Sequence, residues 1–425
     1  MNKILKLCRK IRSTIYRSLL KGPFATEVER SVNAYDYYKK LFCSPFRKGD
    51  IHFSEKESDI RILYITYYNP QGIITLAQTI EEYVKISDYA VDVLNLYHNV
   101  PLIKKKTLQQ YDCIIAHNTV LFDRKHMKLV GKLFFGRFDG MKAAMKQDEH
   151  YHTNLFSKFI KRYHIDLVLT LWDEKTAAKV YPVEECPKLH IMQFLTGYVP
   201  DSYRSLQYDL DHRTIDVGYR GSFQPLLFGN LAYEKREIGD RFLQYAEQYG
   251  LKCDISSLLE KRITGTDWLN FLGTCKATLA VESGSSIVDV DGNVEKQYLK
   301  FKRKHPSASE TEILCFLQQF EKDIQFKVIA PRHFEAAACR TLQIMYEGDY
   351  QGIFVPYRHY VPLKRDFSNI EEVVNILMDN ERRKRIVNCA YDEIIKNDKY
   401  SFSYFVNRLD ETIWKILSER NKELV

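Results

Sequence analysis

Glu335 opens a run of small residues, Glu335-Ala336-Ala337-Ala338-Cys339, soon after the strand-like Phe326-Lys327-Val328-Ile329. A carboxylate at a helix N-terminus is stabilised by the free backbone N–H groups and the helix dipole. Its two acceptor oxygens suit a pair of hydroxyls such as those of a ribose. Ser283-Gly284-Ser285-Ser286 follows a strand-like stretch ending at Glu282. Its hydroxyl and backbone donors suit a phosphate or a sugar, and equally an ordinary turn. Asp148 and Glu149 follow one apolar strand-like run and His117 another, with the turn Asn69-Pro70-Gln71-Gly72 after a third. Groups at such strand ends could take a proton from a hydroxyl or orient it. Asp289-Val290-Asp291-Gly292 lacks the further alternating carboxylates and the distal glutamate of a calcium loop, so no metal is expected there.

Bringing these groups together requires a scaffold that gathers strand ends. Apolar strand-like runs at 61–68, 90–96, 112–116, 142–147, 166–170 and 190–194 alternate with helical spacing at 75–86 and 154–163. That alternation predicts an α/β fold with a mostly parallel sheet covered by helices. After a polar, irregular stretch a second series begins. It has strands at 215–219, 253–255, 278–282 and 342–346 and helices at 238–249, from 332, and at 370–378. The predicted organisation is an amphipathic helix and lead-in over 1–58 and a first Rossmann-like domain over 59–205. A second domain follows over 206–400, with a helical insertion at 291–325, and a C-terminal helix at 401–425 packs back on the first domain. Two doubly wound domains face one another across a crevice at the carboxyl ends of their strands.

A chain of 425 residues with 45% hydrophobic content can bury a sizeable core and suggests two or three domains. Its nine cysteines form no C-x-x-C pair and no Cys/His cluster, which fits a reducing cytosol. The net charge of +8 comes from Lys and Arg interleaved with acids, unlike a nucleic-acid stripe, and points to anionic small ligands or membrane surfaces. No run reaches the roughly eighteen apolar residues of a membrane span. Residues 1–21 read as a basic amphipathic helix without a signal-peptide core. Two readings stand open for it: a helix packed on the domain, or an interfacial contact with anionic lipid.

Several segments in fixed order resemble retaining GT-B glycosyltransferases, in particular the CgeB-like, group 1 branch and glycosyltransferases of bacterial surface-polysaccharide clusters. They are Pro331-Arg-His-Phe-Glu-Ala-Ala-Ala-Cys-Arg-Thr341, the glycine-flanked segments at 218–242 and 281–292, and those at 195–202 and 347–356. The resemblance implies a GT-B fold of two Rossmann-like domains facing a central cleft. Glu335 matches the family's donor-binding glutamate. Arg220, beside Gly221, with Lys235 or Arg236 matches the arginine and lysine that neutralise the donor diphosphate, and Arg332 is a further candidate. Glu347 and Tyr350, in a glycine-flanked loop, and Ser283 and Ser285 would complete the donor site. Two departures stand out: Lys327 occupies the place of the first glutamate in the family's E-x7-E pair, and Arg340 stands where relatives carry glycine.

The resemblance thus implies transfer of a sugar from a nucleotide-diphosphate-sugar donor to a glycan or lipid-linked acceptor, with retention and without a bound cofactor or metal. Asp148, Glu149 or His117 would serve the acceptor. The expected setting is cytoplasmic, peripheral at the inner face of the membrane if residues 1–21 bind lipid, with no nucleic-acid partner. Lys327 and Arg340 leave room for a non-catalytic sugar- or nucleotide-binding protein, and the same fold for a nucleotide-sugar epimerase.

Overall fold

The computed structural model describes residues 51–68, 74–97, 103–322 and 324–423. The basic segment 1–21, the turn 69–72 and the C-terminal Leu424 lie outside the described residues.

The first layer is a seven-stranded sheet: β1 (Ile51–His52), β2 (Arg61–Thr66), β3 (Ala90–Asn95), β4 (Cys113–Ala116), β5 (Met141–Met145), β6 (Leu167–Thr170) and β7 (His190–Gln193). The order is β1-β3-β2-β4-β5-β6-β7, and only the edge strand β1 runs antiparallel. Ile62, Leu63, Ile65, Ile114, Ile115, Ala143 and Val168 are all fully buried, as expected where helices cover both faces of a parallel sheet. Those helices include α1 (Ile74–Ile86), α2 (Arg124–Leu133), α3 (Thr153–Tyr163) and α4 (Glu174–Val180).

The second sheet contains β8 (Ile215–Arg220), β9 (Cys253–Ser256), β10 (Cys275–Ala280), β13 (Leu342–Tyr346) and β14 (Val361–Leu363). Its order is β14-β13-β10-β8-β9, entirely parallel, around a separate core. It is flanked by α5 (Asn230–Ala246), α6 (Thr266–Thr274), α9 (Pro331–Ala338), α10 (Ile370–Met378) and α11 (Asn380–Ala390). The chain is therefore α/β, with two Rossmann-like layers in the GT-B arrangement. Between β10 and β13 stand α7 (Asn293–Lys304) and α8 (Glu310–Gln318). The last helix, α12 (Phe402–Glu423), buries Phe405, Val406, Leu409 and Ile413 in the core of the first sheet.

Two local readings differ from the sequence expectation. The strand expected at 326–329 lies outside the main sheet: β12 (Phe326–Val328) pairs antiparallel with β11 (Ser283–Ser285) in a two-stranded ribbon. The helix expected from 238 begins at Asn230, because Gly229 turns the chain at φ +75° and Ser286 Oγ accepts the Leu231 amide at 3.0 Å. That cap comes from a residue distant in sequence and is invisible to local pattern.

The two layers are joined by main chain. The His152 amide donates to the Asp289 carbonyl at 2.8 Å, the Asp289 amide to the His150 carbonyl at 2.8 Å, and the Asn154 amide to the Val290 carbonyl at 2.9 Å. The Asp289 carboxylate is buried and accepts the amides of Gly292 (3.0 Å), Val294 (3.2 Å) and Glu295 (3.0 Å), which caps α7 and fixes the segment. Asp289→Ala would leave those amides without an acceptor. It is expected to cost about 2 kcal/mol, read as a lower urea midpoint; an unchanged midpoint would show that the carboxylate does not organise this junction.

Candidate functional site

In both sheets the strand order reverses between the first and third parallel strands, and doubly wound sheets bind ligands outside the carboxyl ends at such a point. In the second sheet that point lies between the ends of β8 and β10. Gly221 follows β8. Its amide donates to the Ser256 carbonyl at 2.9 Å, and a Cβ there would lie 2.2 Å from Ser257 Oγ and 2.7 Å from the Lys235 carbonyl. Only glycine lets this turn pass so close to α5.

Lys235, on α5, reaches back across that turn, and its Nζ donates to Ser283 Oγ at 2.9 Å. Burial pushes the ammonium down to about 8, the neighbouring Arg332 adds to the depression, and Asp148 opposes it. Arg332, in the first turn of α9, donates from Nη1 to the Arg220 carbonyl at 2.8 Å, and its guanidinium carbon lies 5.7 Å from the Trp268 ring centre. The helix begins at Pro331, so Glu335 stands one turn in rather than at its N-terminus as expected, and its Oε2 accepts the Trp268 indole N–H at 2.7 Å. Burial pushes the Glu335 carboxyl upward, while that hydrogen bond and Arg332 pull it back. Arg332 thus acts on both the Lys235 ammonium and the Glu335 carboxylate.

The first sheet contributes Asp148, exposed just past β5. Its backbone adopts φ +54°, a left-handed conformation that costs a non-glycine residue about 1 kcal/mol. Its charge acts on Lys235 across the cleft and on His150 and Lys146 beside it.

Other expected residues are engaged elsewhere. Arg220 bonds from Nη2 to Asp254 Oδ2 at 2.9 Å, from Nη1 to the Asp254 carbonyl at 2.9 Å and from Nε to the Lys261 carbonyl at 3.0 Å, and it lies 4.4 Å over the Phe271 ring. Its guanidinium is thereby tied to β9 and α6. Arg236 pairs with Glu310 of the inserted helices and stacks on Phe223 and Tyr233. Ser285 is fully buried, with its hydroxyl on the Phe228 and Ile287 carbonyls. Tyr350 is buried, its hydroxyl on the Tyr346 carbonyl at 2.6 Å, and Glu347 is exposed at the end of β13. The loop joining them is held by Glu282, whose Oε1 accepts the amides of Asp349 (3.2 Å) and Tyr350 (3.1 Å).

Glu149 and His117 are turned into the first domain. Glu149 is 1% exposed and accepts the Thr170 hydroxyl at 2.5 Å, the Leu171 amide at 2.7 Å and the Tyr181 hydroxyl; burial pushes its carboxyl up to about 7. His117 caps the turn at Asn118–Val120 by accepting the Thr119 amide, and burial pushes its imidazole down to about 3. Arg340 stands at the end of α9 with φ +47°, where a glycine would be unstrained, and its guanidinium carbon lies 3.8 Å from the Tyr391 ring centre. Sequence reasoning did not single out Trp268 or Glu282. Trp268 is one of only three tryptophans in the chain, the one signal that could have drawn attention to it.

No family model matches the chain, and no curated protein matches it. Among solved structures, 84% of the chain aligns with all of Anabaena Alr3699/HepE in complex with UDP and glucose, at 12% identity and a TM-score of 0.46. It also aligns over 85% of its length with 98% of AviGT4, a glycosyltransferase involved in Avilamycin A biosynthesis (11% identity, TM-score 0.40). Over 84% of its length it aligns with 99% of OtsA (9% identity, TM-score 0.46). At these levels the site's assignment rests on its own geometry.

The buried His117 gives the fold a defined acid dependence. Its folded value of about 3 lies below the ordinary 6.5, so the unfolded chain takes the proton first. The stability it contributes is complete above pH 6.5 and lost as pH falls towards 3. His117→Asn keeps a capping acceptor and removes the titration. Between pH 7 and pH 5 the wild type is expected to lose roughly 2 kcal/mol more than the variant in urea unfolding; equal losses would contradict a buried neutral imidazole.

Proposed function

We propose that this chain is a glycosyltransferase that moves a sugar from a nucleotide-diphosphate-sugar donor to a glycan or lipid-linked acceptor, with retention. The observation that carries the reading is the convergence of Lys235, Arg332 and Glu335 at the switch point of the second sheet, with Asp148 facing them from the first.

Departure of the sugar builds negative charge on the diphosphate, and cations held in a partly desolvated crevice stabilise that charge without reorganising. Lys235 and Arg332 supply the cations. Lys235 is the compact point charge, and Arg332 offers a planar fork of donors. Glu335 accepts a donor-ribose hydroxyl. Ser283 orients Lys235 through its hydroxyl, and Gly221 lets the turn after β8 pass close to α5, which carries Lys235. Asp148, across the cleft, orients the acceptor hydroxyl. The family resemblance of the 331–341 segment supports the donor assignment independently of this geometry. In this reading Lys327, in place of the first glutamate of the E-x7-E pair, leaves recognition of the sugar to other groups.

Transfer assayed by mass spectrometry with a panel of nucleotide sugars and glycan or lipid-linked acceptors tests the reading. Lys235→Ala is expected to lower transfer about a hundredfold and Glu335→Gln to weaken donor binding about tenfold, both with unchanged circular dichroism. Full activity in both variants would remove the assignment. The depressed ammonium adds a pH test. Above about pH 8 Lys235 loses its proton, so donor affinity is expected to fall as pH rises through 8. Lys235→Arg, which stays charged, should abolish that fall; an identical fall in the variant would place the titration elsewhere.

A further inference from the structure

Trp268 touches Glu335 and nothing in the sequence reading assigned it a role. It sits half-buried near the start of α6, with its indole N–H 2.7 Å from Glu335 Oε2. One side of the ring carries the Arg332 guanidinium at 5.7 Å; Phe271 stacks against it at 5.7 Å between ring centres, with 28° between planes. Phe271 in turn carries Arg220, which is anchored to Asp254. The indole is thus wedged in a ladder of cations and rings that begins at a structural ion pair and ends at the crevice. These contacts, with the hydrogen bond to Glu335, restrain the indole N–H.

That direction has a chemical consequence. A carboxylate has about four lone-pair sites on two oxygens, and an indole is a donor with no acceptor capacity. Trp268 takes Oε2 and restrains the carboxylate, so that Oε1 is the oxygen left for a ligand hydroxyl. A glutamate on a helix, with three rotatable bonds, would otherwise lose that orientation each time the crevice emptied. The same hydrogen bond favours the ionised carboxylate against burial.

We infer that Trp268 is a positioning residue: its indole N–H orients Glu335 so that one carboxylate oxygen recognises a single hydroxyl of the donor ribose. The inference rests on the donor-binding reading above. It assigns Trp268 an influence on the ligand's hydroxyls rather than on its phosphates.

The test is calorimetric binding of a nucleoside diphosphate and its 2′,3′-dideoxy counterpart to the full chain, using whichever base the wild type binds best. For the wild type, removal of the ribose hydroxyls is expected to weaken binding about tenfold, the worth of a hydrogen bond to a charged acceptor. In Trp268→Phe, which keeps a ring and loses the N–H, the two ligands are expected to bind within about twofold of each other. Trp268→Met, a flexible filler without a donor, is expected to behave likewise and carries the test should the phenylalanine variant not fold. A merely structural tryptophan would weaken both ligands equally and leave the tenfold discrimination unchanged; that result overturns the inference alone. A wild type that binds no nucleoside diphosphate overturns the donor reading and this inference with it.

Discussion

Three backbone hydrogen bonds between 150–154 and 289–290 hold the two layers against each other, and everything in the cleft depends on them. Backbone bonds carry no side-chain rotamer freedom, so they set the distance between the sheets more firmly than surface ion pairs, which are worth little in water. Asp289 stabilises this junction because its carboxylate gathers three amides of the following turn. Phe326 then packs between the two domains, 5.5 Å from Trp172 and 5.2 Å from His150. The inserted helices, absent from a minimal doubly wound domain, are thus part of the clamp.

Once the layers are fixed, electrostatics makes the crevice receptive. Burial disfavours the Lys235 charge, and the neighbouring Arg332 adds to that. Asp148 offsets part of that cost from the opposite domain, at the expense of a left-handed backbone. A bound anion would offset the rest. Strain held at a cleft residue and uncompensated positive charge beside it are both characteristic of a site built for a ligand rather than for stability.

Much of the architecture was legible in the sequence because buried parallel strands are continuous apolar runs. The segments at 61–66, 113–116, 167–170 and 342–346 needed no tertiary information. The start of α5 was not legible, since Ser286, some 55 residues away, caps it. Lys235 rides on this helix and reaches Ser283. Arg220 illustrates the opposite limit. Its place beside Gly221 suggested a phosphate ligand, but Asp254 and Phe271, on neighbouring elements, take up its guanidinium. Charge and spacing identify a cation near a strand end; only packing decides where it points. Trp268 was missed for the same reason, because an indole N–H aimed at a carboxylate leaves no trace in local sequence pattern.

In the proposed function, Lys235, Arg332 and Glu335 form a donor site. Thermal unfolding of the full wild-type chain across a panel of nucleoside diphosphates and their sugars tests it most directly, because a ligand that binds only the folded state stabilises it by about 2.7 kcal/mol at a hundredfold excess over Kd. A concentration-dependent rise in melting temperature is expected with at least one nucleoside diphosphate, lost in Lys235→Ala. No rise with any member of the panel would contradict it.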